Sequence, residues 1–290
     1  MYDLMDLVPE KQINCLDKGH VTLIDVMPRI APEGQTADYA IVQAARTSYG
    51  DGTKTIDEDV GLIRYLLRHA HTTPFEMIEF KFFVKMPIFV CRQWARHRMS
   101  STNEYSGRYS VMKDEFYFPE LTNIRQQSQT NKQGGDIPID SENAQIFSEN
   151  LKQISENSYS QYENAMNRKI AREQARMLLP VNNYTQLYWK IDLHNLLHFL
   201  SLRCESHAQQ EIRVFADAVL KLIAPIVPVT IQAWNDYHDR RGAIKLTRLE
   251  VEALRNYLTT LNLQAPKIES ENKRENAEWR EKVQKLGFKL

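Results

Sequence analysis

The sequence predicts a single α+β domain of few strands and many helices. Only three stretches carry clear strand patterning, at residues 20–27, 79–86 and 184–191, and helical periodicity recurs around them. No internal repeat is present. No linker long enough to separate independent domains interrupts the pattern, and 290 residues suffice for a substantial core.

Each element has its own reason. Residues 20–27 are rich in β-branched side chains (Val21, Thr22, Ile24, Val26) and read as a strand. Residues 39–46 repeat Ala and Ile toward one face, a helix broken at Gly50 and Gly52. Residues 57–71 open on acidic side chains and align Val60, Ile63, Leu66 and Leu67, a helix stopped at Pro74. Residues 79–86 alternate charged with aromatic or apolar side chains. Pro87 then takes a first helical position, opening a helix to about Arg98. Residues 100–109 are polar and irregular, a loop entering a strand, and 126–136 form a polar, loop-like insertion. Residues 141–179 read as helix in two segments, ended by Pro180. After the strand 184–191, Asp192 can cap a helix over 193–203. Helices follow at 205–227, at 229–240 beyond Pro225 and Pro228, and at 247–261. The folded domain is expected to span 1–263. The charged tail 264–290 has few apolar anchors, and fits a surface helix or a segment without fixed structure.

Composition excludes several functions. Lys+Arg and Asp+Glu balance at 37 each, so charge suggests neither a nucleic-acid nor a membrane partner, and any anion site must be a local cluster. Cys15, Cys91 and Cys204 are too few and too far apart for a disulfide framework or a CxxC metal pair. No run approaches the roughly 18 apolar residues of a membrane span, and the start lacks a basic and apolar leader pattern. The expectation is a cytoplasmic protein without a metal.

Five segments carry candidate chemistry. Arg92, Arg96 and Arg98 crowd one helix end beside Phe89, Val90, Cys91 and Trp94. They read as a solvated C-terminus favoured by the helix dipole, or as an anion site, since guanidinium forks suit phosphate oxygens. Residues 100–110 place Ser, Thr, Asn, Glu and Arg around Gly107, where backbone can approach a ligand closely. Ser106 has no adjacent base in the sequence and reads as a hydrogen-bonding residue rather than a nucleophile. His71 to Glu76 is weak by itself, a helix-end histidine with a surface acid. Arg172 and Arg176 share a face with Glu173 nearby, which alone reads as a salt-bridge network. In 192–213, His194 and His198 are four apart without the HExxH pattern, and a packed pair is the simpler reading. Arg203 follows Phe199, Leu200 and Leu202, where an unpaired charge is costly. It is therefore functional, or paired with Glu205 or Glu211. No GxGxxG or GxxxxGK[ST] is present, so neither a Rossmann turn nor a P-loop holds a nucleotide.

In order, these segments resemble the flavin-dependent thymidylate synthase family. That family carries Arg-His-Arg, seven residues, then Ser; here Arg96-His97-Arg98 is followed by residues 99–105 and Ser106. Asn103, Glu104, Gly107, Arg108, Tyr109 and the flanking Gln93-Trp94 extend the match. So do residues 45–48, 71–76, Ala175-Arg176, Leu179-Pro180, Tyr184-Thr185, Trp189 and Leu202-Arg203. The resemblance covers roughly residues 20 to 240. It implies a central, mostly antiparallel sheet flanked by helices, and reductive methylation of dUMP to dTMP. Methylenetetrahydrofolate gives the carbon, and FAD reduced by NADPH supplies the hydride without an enzyme nucleophile. The cofactor then carries the hard chemistry and the protein positions charge.

Carried over by residue, the resemblance gives dUMP to Gln93, Trp94, Ala95, Arg96, Glu104, Tyr105, Ser106, Gly107, Arg108, Arg176 and Arg203. Arg203 is the catalytic candidate, stabilising charge on the uracil. FAD falls to Ser48, Thr73, Glu76, Arg96, His97, Arg98, Glu104, Asp192, Leu193, His194 and His198, with His71 near the folate or NADPH. Some members carry Asn, Arg and Asn where Asp192, His194 and His198 stand. A homotetramer with sites between subunits is also implied. Two other readings remain: a flavoprotein relative that only oxidises NADPH, and a single-stranded RNA binder using arginines with Trp94 and Tyr109. The zero net charge and the lack of a basic stripe weigh against the latter.

Overall fold

In the computed structural model, residues 1–47, 56–129, 134–237, 246–268 and 272–289 are described. In chain order, the strands are β1 (Tyr2–Asp3), β2 (Gln12–Cys15), β3 (Gly19–Met27), β4 (Ile30–Ala31), β5 (Glu79–Pro87), β6 (Ser101–Glu104), β7 (Arg125–Gln127), β8 (Gly135–Pro138) and β9 (Tyr184–Asp192). The helices are α1 (Asp38–Arg46), α2 (Ile56–Arg68), α3 (Ile88–Trp94), α4 (Ser141–Asn167), α5 (Arg172–Ala175), α6 (Leu193–Arg203), α7 (Gln210–Ile223), α8 (Pro228–Tyr237), α9 (Arg248–Leu261) and α10 (Lys273–Lys285). The chain divides into two compact units, Met1–Trp234 and Asn235–Leu290.

The first unit is built on a five-stranded sheet of order β2-β3-β5-β9-β6, antiparallel at every pairing. Alternation sets its buried face. Along β5, Phe80, Phe82, Val84 and Met86 are wholly buried, and along β9, Leu187, Trp189 and Ile191 are buried while Tyr188 is exposed. Helices α3, α6 and α7 pack on this sheet. The resemblance's expectation of a mostly antiparallel sheet flanked by helices is met, and the three expected strands are β3, β5 and β9.

An aromatic knot ties this architecture to what lies at the end of α3. Trp94 meets Trp189 edge-on at 4.7 Å and Phe199 at 4.5 Å, and Trp189 meets Phe199 at 5.1 Å. One ring each from α3, β9 and α6 therefore fixes these elements mutually, at about 0.5–1.5 kcal/mol per pair beyond burial. Asp192 caps α6 as expected, accepting from the Asn195 N–H at 2.9 Å and its side-chain amide at 2.7 Å. Buried Asp38 accepts from the N–H groups of Val229 and Thr230 and from the Thr230 hydroxyl, holding the start of α8.

Four expectations need correction. Pro87 ends β5 and stands outside the helix, so α3 is shorter than 87–98 and stops at Trp94. The His97 N–H, which would reach the Gln93 carbonyl in a continued helix, bonds Trp94 O instead. The Gln93 carbonyl accepts from Arg203 Nη2 at 3.3 Å. The polar stretch after Ser100 is first a strand, β6, and only then a turn, because pairing with β9 overrides weak local propensity. The helix expected over 205–227 begins only at Gln210 and ends at Ile223, since Glu205 folds its carboxylate back onto the His207 N–H. Sequence patterning also missed β2, whose four residues are too short to show periodicity.

In the second unit, Thr247 and Glu250 form a capping box at the start of α9, and α10 lies within the charged tail. Gly50, Gly52 and Ser48 lie outside the described residues.

Candidate active site

The sequence-expected residues fall into three groups, which the sheet and α6 connect. The first lies where α3 and α6 end, on the aromatic knot. Arg203, the last residue of α6, donates from Nε to His97 Nε2 at 3.0 Å and from Nη2 to the Gln93 carbonyl at 3.3 Å. His97 packs edge-on against Phe199 at 4.9 Å and faces His198 at 6.0 Å. Gln93 donates its side-chain amide to Gln209, which precedes α7. Burial, then Arg203 and His198, lowers the acid range of His97 to about 4, so the ring is neutral at pH 7. Burial, then Arg96, shifts Arg203 downward as well.

The second group surrounds the turn after β6. The Thr185 hydroxyl, buried on β9, donates to Glu104 Oε1 at 2.8 Å. Cys91 on α3 lies beside the same carboxylate; burial and that charge push its thiol up to about 12. The Ser106 hydroxyl accepts from the Arg108 N–H at 3.3 Å, as a turn residue does, and no base contacts it among the described residues. Gly107 stands close to its neighbours: a Cβ there would sit 3.0 Å from the Met112 sulfur and 3.2 Å from Arg176 Cδ, so these flexible side chains would have to give way. Tyr105 bonds the Val111 carbonyl through its hydroxyl. Arg108 pairs with Glu173 at 3.3 Å, both well exposed.

The third group sits at the other end of α6. The segment Thr73–Met77 packs against α1 and α6, and the Leu193 N–H donates to the Ile78 carbonyl at 2.8 Å. Thr73 and Glu76 on this segment are exposed. Eleven residues of helix put this group about 16 Å along the axis from Arg203. His194 and His198 stand one turn apart between the ends. His71 is exposed and stacks with Tyr65 at 5.9 Å.

Three expected residues are constrained by the fold. Trp94 and Leu193 are fully enclosed, so only their main chains remain for a ligand. Both Asp192 oxygens are used by Asn195. Sequence reasoning passed over Gln209 and gave Thr185 no role. The signal for Thr185 was present: it is a hydroxyl on the buried face of an otherwise apolar strand.

The charge balance of the site decides what it can hold. Arg92, Arg96, Arg98, Arg176 and Arg203 have no carboxylate partner among the described residues. Guanidinium groups without an acid suit anions, and phosphate-bearing ligands satisfy such forks. No group of three or more His, Cys, Asp or Glu that could hold a metal is found among the described residues. No described helix is long and apolar enough to cross a membrane.

Arginines without an acid partner among the described residues, Arg96 near Arg203 and Arg176 near Gly107, make this a site suited to anionic ligands. The comparisons narrow the class. The model of the Thy1 family, thymidylate synthase complementing protein, matches residues 23–229. A flavin-dependent thymidylate synthase of Dictyostelium discoideum is 50% identical over 285 residues, 98% of this chain and 90% of that protein. Those of Gluconobacter oxydans and Thermus thermophilus are 48% and 49% identical, covering 84% and 85% of this chain and 78% and 86% of theirs. Among solved structures, a UMP/dUMP methylase, PolB of Streptomyces cacaoi, bound with 5-Br dUMP, is similar with a TM-score of 0.68 at 32% identity. That match covers 80% of this chain and all of the other. The chain belongs to the flavin-dependent thymidylate synthase family.

Proposed function

We propose that this enzyme converts dUMP to dTMP by reductive methylation, with methylenetetrahydrofolate as carbon donor and FAD, reduced by NADPH, as hydride carrier. One observation carries the reading: Arg203 is a half-buried guanidinium held by an imidazole nitrogen and a carbonyl, without a carboxylate. A charge left uncompensated there is available to an electron-rich ring, as a hydride-accepting uracil requires.

The chain's residues fit the ligands. Arg96, Arg98 and Arg176, without a carboxylate partner among the described residues, suit the phosphates of dUMP and FAD. Gln93, Glu104, Tyr105, Ser106, Gly107 and Arg108, with the main chain of Trp94 and Ala95, form the uridylate cradle. Thr73, Glu76, His194 and His198 line a track along α6 that matches an elongated dinucleotide, with Arg98 and His97 at its far end and His71 near the folate or NADPH. When bound, the reduced flavin supplies the hydride. Arg203 stabilises negative charge on the pyrimidine, Glu104 is held in place by Thr185, and Ser106 binds rather than attacks. The breadth of exposed site residues supports assembly between subunits of a cytoplasmic homotetramer, and sedimentation of the active protein as a monomer would refute it.

The test is direct. Purified protein should show a flavin absorption spectrum and form dTMP from dUMP, methylenetetrahydrofolate and NADPH. NADPH oxidation without dTMP would overturn the reading. Because the solved neighbour is a methylase of both UMP and dUMP, UMP should be assayed beside dUMP to establish the sugar preference.

A further inference from the structure

We infer that His97 is a positioning residue for Arg203: its imidazole accepts the guanidinium Nε–H and turns the remaining N–H groups of the fork outward, toward the substrate ring. The inference rests on the reductive-methylation reading, and it assigns His97 a role beyond contact with the flavin.

Three features carry it. The guanidinium has five N–H donors, and the two contacts at 3.0 and 3.3 Å fix its plane and leave the rest unspent. Both acceptors are neutral, so the contacts orient the charge without cancelling it. A carboxylate at either place would have done both. Finally, the ring is held before Arg203 reaches it. Phe199 packs edge-on at 4.9 Å with a 76° interplanar angle, and the ring stands just beyond the turn that ends α3.

For Nε2 to accept, the ring proton must lie on Nδ1. The groups facing His97 favour that neutral state. Arg203 and His198 face it from α6, and Arg96 and Arg98 flank it in the chain. All are cationic or become so on protonation. A proton gained at Nε2 would turn the acceptor into a donor facing a cation, and release the fork.

The experiment compares two variants. His97→Phe keeps a ring against Phe199 but offers no acceptor, whereas His97→Gln keeps a side-chain acceptor. Flavin content, dUMP affinity, kcat and the pH profile of kcat are measured on the full chain. Because His97 also lies at the end of the proposed flavin track, turnover is expressed per bound flavin. His97→Phe should form dTMP at least about tenfold more slowly, an effect of lost orientation. His97→Gln should recover to within about threefold and lose the acid limb that the wild type shows as His97 protonates. His97→Phe at the wild-type rate would overturn the inference. So would His97→Gln no better than His97→Phe, or turnover per bound flavin unchanged in both. A wild-type chain that forms no dTMP would sink the reaction reading separately. The inference would then be judged on dUMP affinity, where the same order of variants supports it and equal affinities overturn it.

Discussion

Some arginines of this chain pair with acids, others such as Arg172, Arg213 and Arg255 bond only carbonyl oxygens, and Arg203 is held between a ring nitrogen and a carbonyl. At the periphery of the first unit, Arg29 meets Asp3 at 2.9 Å and Asp25 at 3.5 Å, and Arg46 meets Asp59. In the second unit, Arg248 meets Glu252 at 3.0 Å. Each has an acid of the same chain within reach. At the ends of α3 and α6, Arg96, Arg98 and Arg203 have none among the described residues, although Glu205 lies only two residues from Arg203. Its carboxylate is taken by the N–H of His207, the His207 ring and Ser206. Paired arginines complete the fold. What sets Arg203 apart is its half-buried place beside Arg96, held by two neutral acceptors. Arg108 is intermediate, in an exposed pair with Glu173 that phosphate can displace, because such pairs are worth at most about 1 kcal/mol.

The largest effect should come from removing the most buried member of the unpaired set. Arg203→Ala is expected to lower dTMP formation by about 10²- to 10³-fold while flavin stays bound, the scale of losing one preorganised charge-stabilising donor. Turnover within about threefold of wild type, by single-turnover assay, would break the comparison at its centre.

The second effect concerns the acid that the site does keep. Glu104, exposed on β6, accepts from the Thr185 hydroxyl at one oxygen at 2.8 Å and has no cation partner among the described residues. Thr185→Val leaves that carboxylate without its fixed donor and should raise the KM for dUMP by about tenfold, the cost of about one hydrogen bond to a charged group. Thr185→Ser should restore it. Equal KM values for Val and Ser variants would show that packing, not the hydroxyl, matters there.

Legibility from sequence followed the same division. The strands β3, β5 and β9 were readable because each alternates against a buried face, and α6 because Asp192 announces its start. The unpaired arginines were visible only as alternatives: Arg96 and Arg98 as a helix end or an anion site, Arg203 as functional or paired with Glu205 or Glu211. Nothing local distinguishes these, since pairing depends on which carboxylates fold nearby. The structure directs Glu205 to His207 and Glu211 to Tyr117. The end of α3 was misread for a related reason. The Gln93 carbonyl accepts both the Arg96 N–H of a tightened last turn and the guanidinium of Arg203, 110 residues away in sequence, and no helix propensity encodes the latter. The helix and strand periods carry intra-element information, whereas the site is made of contacts between elements.

A smaller effect should appear in stability against pH. His97 is neutral in the fold down to about pH 4, whereas an unfolded histidine protonates near ~6.5. Between those values the unfolded chain binds more protons, so this group's contribution to stability falls as pH drops from ~6.5 to about 4 and stays level below that. His97→Gln removes the group. The difference in Tm between pH 7 and pH 4 should therefore shrink in the variant. An unchanged difference would mean that His97 is not held neutral by Arg203 and its surroundings.

The smallest effect belongs to the paired population, and it is the control on which the contrast depends. Arg248 and Glu252 are one turn apart on α9, both largely exposed, and such a pair contributes about 0.3–0.5 kcal/mol. Arg248→Ala should lower Tm only slightly, with that loss shrinking further as salt is added, because exposed charges are screened within about 10 Å at 0.1 M. Its dTMP formation and flavin content should match the wild type. If Arg248→Ala instead cost turnover as Arg203→Ala does, pairing with an acid would not separate structural from functional arginines in this chain. The charge-balance argument for the site at the ends of α3 and α6 would then lose its basis.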